Sequence, residues 1–298
     1  MPVVASAGRA VLRDYGGSGR PAIFVPSLIN PPDVLDLAEA NSMLRWLAQH
    51  GARPLLVDWG SATAAERELG IAGHVETMLL PLIEAIGREA AVVGYCLGGT
   101  MALAAAMLRP VDRLALIAAP WRFAGYPEGS RTDLGALWGA AQPVAEQLGL
   151  FPMELLQAAF WTLDPARVVA KYADYGRLDP DSDAARAFVL LEDWSNSGPP
   201  LTLAAGRELV EGFMRDDLPG NGQWQVANRN LDPGAVSCPV LEVISTSDRI
   251  VPMATAAGIG RQLSLKQGHV GMIVGGRARK LLWEPLAAWL SQDRDALS

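Results

Sequence analysis

Residues 90–96, AAVVGYC, form an apolar run that breaks at Gly94-Tyr95-Cys96-Leu97-Gly98-Gly99, and a second apolar run, LGGTMALAAAML, begins at once. Few folds accommodate such a join. A buried strand must turn into a buried helix within one or two residues, at a corner too sharp for side chains two positions to either side; Gly94 and Gly98 meet that need. The chain has two cysteines, and one of them sits on this corner. Cys96 is therefore either a small packed hydrophobe in a tight turn or a nucleophile held off the C-terminal edge of a sheet.

The flanking sequence decides what kind of sheet. PAIFVPS (21–27), RPLLVDW (53–59), AAVVGYC (90–96) and RLALIAAP (113–120) are short, continuously apolar runs, as parallel strands covered on both faces require. Helical patterns lie between them. SMLRWLAQH is capped by Asn41 and stops at Gly51. The set Ile71, Val75, Met78, Leu79, Leu82, Ile83, Ile86 keeps helical spacing up to Gly87, with Pro81 predicting a kink or a helix start. From Trp121 to Leu231 the strand signal disappears, and five of the nine tryptophans, Trp121, Trp138, Trp161, Trp194 and Trp224, fall there. The strand series resumes with PVLEVIST (239–246). The spacing predicts an α/β fold, a mostly parallel sheet with helices on both faces, in which 1–120 and 232–298 form the core and 121–231 an inserted helical cap.

Composition excludes several functions. The 298 residues are half hydrophobic, enough for a sizeable core, and the net charge of −7 opposes a nucleic-acid surface. No run reaches the length of a membrane span, the start lacks the pattern of a signal peptide, and the two cysteines make no disulfide framework, which points to the cytoplasm.

A thiol nucleophile needs a base, and there are three histidines. His50 ends a helix, where a cation suits the dipole. His74 opens the helix 74–86 on its solvent side. His269, in KQGHVGMI, follows the last strand, where an α/β-hydrolase carries its base, and Asp248, in TSDRIVP, closes the strand before it. Cys96, Asp248, His269 is the nucleophile–acid–base order of that fold. The Leu97 amide then supplies half of an oxyanion hole, and the loop VPSLINPP the other half, through Ile29 with Leu28 as the near alternative. Cys238, ahead of a buried strand, reads as a packed thiol.

These segments together resemble the catalytic subunit of the polyhydroxyalkanoate synthases, most closely the two-component (class III) kind. SLINPPDVLDLAEANSMLRWLAQHGARPLLVDWG is similar to the family's stretch from oxyanion loop to second core strand, and GYCLGGT to its lipase-like box with Cys for Ser. LLEDWSNSGPPL is similar to its segment around a characteristic Trp, here Trp194. CPVLEVISTSDRIVP and GHVGMIVGGRARK resemble its Asp- and His-bearing segments. The resemblance implies that Cys96 is acylated, that His269 is the base and Asp248 its activating acid, and that (R)-3-hydroxyacyl units pass from coenzyme A to a growing polyester. It further implies no cofactor beyond the coenzyme A thioester substrate, no metal, a homodimer, a second synthase subunit, and a cytoplasmic enzyme associated with polyester granules.

Three features depart from the family pattern. Most of the region that members carry ahead of the first core strand has no counterpart, Arg122 stands where they have Asp before the Phe (Phe123), and the interval from Asp248 to His269 is shorter. They leave room for an esterase or thioesterase on the same triad. Dienelactone hydrolases share a box much like GYCLGG but have no long helical insert. A non-catalytic scaffold would not need all three of Cys96, Asp248 and His269.

Overall fold

The computed structural model describes residues 1–163 and 165–293. Its frame is one sheet of eight strands: β1 (Val3–Ala7), β2 (Ala10–Asp14), β3 (Arg20–Val25), β4 (Ala52–Asp58), β5 (Ala91–Tyr95), β6 (Leu114–Ile117), β7 (Val240–Ser245) and β8 (Arg261–Leu265). They lie in the order β1-β2-β4-β3-β5-β6-β7-β8. Only the β1–β2 and β2–β4 pairings are antiparallel. The parallel strands β3 to β7 are those whose continuous apolarity announces burial on both faces. β8, parallel but largely exposed at the sheet's edge, was implied only by the place of His269, and β1 and β2, one exposed and one partly buried, carry no apolar run.

One face is covered by α1 (Met43–Ala48) and a C-terminal helix over 279–291, the other by α2 (71–86) and α3 (Leu97–Leu108). Every residue of α3 is buried, as its all-round apolarity requires. The cap of α1 falls one residue later than Asn41. Ser42 Oγ accepts the Arg45 N–H at 3.0 Å, and the Asn41 amide instead donates to the Val274 carbonyl at 2.9 Å. Pro81 neither starts nor breaks α2. The helix widens over Val75–Leu79, where the Leu80 N–H reaches back five residues to Val75, and so passes the residue that lacks a donor.

His74 corrects the sequence reading: α2 begins at Ile71, and the imidazole is buried rather than solvent-facing. Its Nδ1–H donates to the Gly70 carbonyl at 2.7 Å and Nε2 accepts from the Arg9 guanidinium at 2.6 Å, an arrangement that fits a neutral ring. Burial, aided by the Arg9 charge, lowers its pKa to about 4. The unfolded chain therefore binds the extra proton between about pH 6.5 and 4. The stability His74 contributes is complete above that window and lost as pH falls through it, by on the order of 3 kcal/mol. Urea melts across this range should fall more steeply for the wild type than for His74→Gln; parallel curves would refute the assignment.

Between β6 and β7 the chain is helical: α4 (Glu128–Leu148), α5 (Met153–Leu163), α6 (Pro165–Tyr175), α7 (Asp183–Ser195) and α8 (203–215), joined by loops and two-residue strand pairings. Three of its tryptophans make its own core. Trp121 and Phe213 both pack on Trp224, at 5.8 and 5.0 Å between ring centres, and Trp138 stacks on Phe151 at 5.2 Å. Glu208 ties this segment to the sheet domain. Its half-buried carboxylate takes the Ile71 N–H at the start of α2 (2.6 Å) and the Trp224 indole N–H (2.7 Å), partners that suit an anion at a helix N-terminus.

Candidate active site

The turn after β5 is as tight as the sequence demands. Cys96 adopts φ 56° and ψ −133°, a strained region for any residue but glycine. Its N–H is fixed by the Ile117 carbonyl at 3.0 Å. A Cβ on Gly98 would stand 2.2 Å from the Val25 carbonyl oxygen, and one on Gly94 2.4 Å from Gly99 Cα. The two glycines are thus required by backbone approach, the strand β3 on one side and the start of α3 on the other.

Asp248 and His269 reach the same point from the loops after β7 and β8. His269 Nδ1–H donates to Asp248 Oδ2 at 2.7 Å, and Asp248 Oδ1 accepts the Ile250 and Val251 amides at 2.8 and 2.9 Å, so the carboxylate is held by its own turn. The imidazole stacks on Tyr95, ring centres 4.9 Å apart, and the Tyr95 hydroxyl donates to the His269 carbonyl at 3.3 Å. Cys96 and the His269 ring line the same cavity, near enough for the sulfur to act on the charge of the ring. Burial alone would lower the imidazole pKa, but the Asp248 carboxylate and the Cys96 sulfur outweigh it and push it up to about 10. The arrangement favours the protonated ring, an imidazolium beside the N-terminus of α3.

The Leu97 amide, first in α3, has no protein acceptor among the described residues, and neither has that of Leu28; the Ile29 amide donates to Ser27 Oγ at 3.1 Å. Ile29 does reach the site, lining both cavities that meet at Cys96. The larger, about 530 Å³, is bounded by His269, Trp161, Trp194 and Arg249 among others. The smaller, about 90 Å³, is apolar and bounded by Leu97, Phe123, Tyr126 and Leu209. Trp194 is half-buried against the core. Its indole N–H donates to the Pro31 carbonyl at 2.9 Å, beside the Asn30 side-chain amide, which reaches the Ser195 carbonyl at 3.3 Å. His50 lies away from this point, stacked on Trp46, and Cys238 packs against the core. Sequence reasoning passed over Tyr95, although it stands inside the quoted box, and Tyr126, which no pattern marked. Among the described residues no cluster of His, Cys, Asp and Glu is arranged to hold a metal, and no helix is long and apolar enough to cross a membrane.

This sheet order with a nucleophile-type corner after β5 defines an α/β-hydrolase fold. The chain overlays on a thermophilic esterase from Thermogutta terrifontis over its full length, covering 99% of that chain, with a TM-score of 0.59 at 13% identity. It overlays on a bromoperoxidase from Bacillus anthracis with a TM-score of 0.58 at 15% identity, covering 97% of this chain and 99% of that one. No protein-family model matches the chain. By sequence it is 25% identical to the poly(3-hydroxyalkanoate) polymerase subunit PhaC of Haloarcula marismortui and 26% identical to that of Allochromatium vinosum, each match covering 91% of this chain. It spans 61% of the first relative and 81% of the second. The likeness in sequence thus falls on poly(3-hydroxyalkanoate) polymerase subunits, and the likeness in structure on the α/β-hydrolase fold.

Proposed function

We propose that this chain is an acyltransferase of the polyhydroxyalkanoate synthase type. It moves (R)-3-hydroxyacyl units from coenzyme A thioesters, through an acyl group on Cys96, to a growing polyester. The observation that carries the reading is a cysteine, rather than a serine, at the corner against His269–Asp248, in a chain whose relatives are named as polymerases. Thiolate attack on a thioester exchanges one carbon–sulfur bond for another, so the acyl group is loaded with little change in bond energy.

Cys96 Sγ, its proton on His269, adds to the thioester carbonyl. The tetrahedral oxyanion meets the Leu97 amide and a second amide from the Ser27–Ile29 loop, where the Leu28 N–H is unpaired and the Ile29 N–H must first leave Ser27 Oγ. Collapse expels coenzyme A as its thiol, protonated by the imidazolium. The neutral imidazole then takes a proton from an incoming hydroxyl, whose oxygen attacks the Cys96 thioester, forming an oxoester and returning the thiolate. Asp248 holds the ring and balances its charge throughout. The helical segment 121–231 acts as a cap that keeps water from the acyl group, since water in place of the hydroxyl would release free acid. A homodimer, a second synthase subunit and attachment to polyester granules belong to the same reading.

Purified protein and Cys96→Ala are incubated with (R)-3-hydroxybutyryl-coenzyme A while free thiol, free hydroxy acid and polymer are measured together. Thiol release with polymer, absent in the variant, is expected. Thiol matched by free acid would instead mark a thioesterase on the same residues.

A further inference from the structure

Tyr126 carries a hydroxyl that the mechanism above does not use. It follows the short turn Phe123–Gly125, and its ring stacks on Phe123 with centres 5.9 Å apart. Its side chain lines the smaller cavity together with Cys96 and Leu97. Among the described residues the phenol has no hydrogen-bond partner. Burial, reinforced by the negative charges of Cys96 and Asp248, pushes its pKa well above the usual phenol value, so the proton stays on. Apart from Ser130, the other side chains around this hollow are apolar. Tyr126 is half-buried, and its hydroxyl is left to pair with a polar group that enters the hollow.

Position narrows what that something is. An acyl group on Cys96 has its carbonyl oxygen committed to the backbone amides, and its carbon chain must enter one of the two cavities. The smaller one, at about 90 Å³, is well below the roughly 150 Å³ that accommodates benzene, and so takes a chain of about three or four heavy atoms. A short chain bearing one hydroxyl near its carbonyl brings the partner that the phenol lacks, and a phenol both donates to and accepts from an alcohol. We propose that the Tyr126 hydroxyl pairs with the 3-hydroxyl of the acyl chain on Cys96, and so selects 3-hydroxyacyl over plain acyl thioesters. This rests on the acyl-transfer reading of the site.

A site built to pair a substrate hydroxyl penalises the analogue that lacks one, because its own polar group is then left unpaired. The test follows mass-detected acylation of Cys96 and thiol release, with (R)-3-hydroxybutyryl- and butyryl-coenzyme A, in wild type and Tyr126→Phe. Phenylalanine keeps the stacking on Phe123, and thermal melting checks that the fold is retained. The wild type should favour the hydroxyacyl thioester by about tenfold to a hundredfold. The variant should lose that preference while reacting with butyryl-coenzyme A as fast as the wild type or faster. An unchanged preference in the variant, or an equal loss on both thioesters, overturns the assignment of Tyr126 and leaves acyl transfer standing. A wild type acylated by neither thioester overturns the acyl-transfer reading and this inference with it.

Discussion

Replacing His269 with glutamine is expected to slow acylation of Cys96 by about a thousandfold at neutral pH, the middle of the range that a positioned general base contributes. Two losses combine. The thiol proton has no acceptor, and the cation between Asp248 and Cys96 is gone, leaving the carboxylate facing the sulfur without the charge that balanced both. Single-turnover thiol release from a coenzyme A thioester measures the effect, and a loss smaller than tenfold would show that His269 is not the base. The pH profile gives a second reading. A thiol without a base ionises only in alkaline solution, so the variant's rate should climb steadily above neutrality. The wild type should not share that climb, because its imidazole holds the transferred proton up to about pH 10.

Gly98→Ala is expected to cost at least about 3 kcal/mol of stability, the upper end of ordinary overpacking, and to lower Tm by several degrees. The added methyl would sit 2.2 Å from the Val25 oxygen and 2.3 Å from that of Pro26, and both are backbone atoms that no rotamer change can move. Relief requires β3 and the Pro26–Pro31 loop to shift away from α3, which also carries the loop amides away from Cys96. Activity should therefore fall even at temperatures where the variant stays folded. Gly135→Ala is the control. A Cβ there meets nothing within 4 Å, and alanine favours the helix, so its Tm should hold or rise. Equal melting of Gly98→Ala and wild type would mean that the corner is not packed as described.

The parts of this molecule that could be read from its sequence are those where burial or backbone geometry leaves few alternatives. Strands covered on both faces announce themselves as apolar runs, and the corner at Cys96 needs Gly94 and Gly98. Asp248 and His269 were legible because each closes a strand-to-loop transition in a fixed order. Edge strands β1 and β8 carry no apolar run, since exposure lets almost any sequence serve, and β2, inside β1, is covered only in part. His74 was misjudged because a buried neutral histidine needs two partners distant in sequence or invisible in pattern, here Arg9 and the Gly70 carbonyl. The loop after β3 lines the cavities beside Cys96, but which of its amides stays free depends on where Ser27 Oγ turns, a rotamer choice that leaves no trace in the sequence. Tyr126 likewise gains meaning only when α4, α5 and the corner enclose a common space.

The bonds from Trp194 to Pro31 and from Asn30 to Ser195 join the inserted helices to the loop that faces the nucleophile. A lid hung on an independent hinge can swing without disturbing the chemistry beneath it. Here the door and the latch share a frame: lifting α7 from the sheet pulls on Pro31, two residues from Ile29. A molecule opened wide at this edge has surrendered the alignment of its backbone donors, and regains it only on closing. If Cys96 carries the proposed acyl group, its thioester is then poised for attack chiefly while the surrounding solvent is shut out.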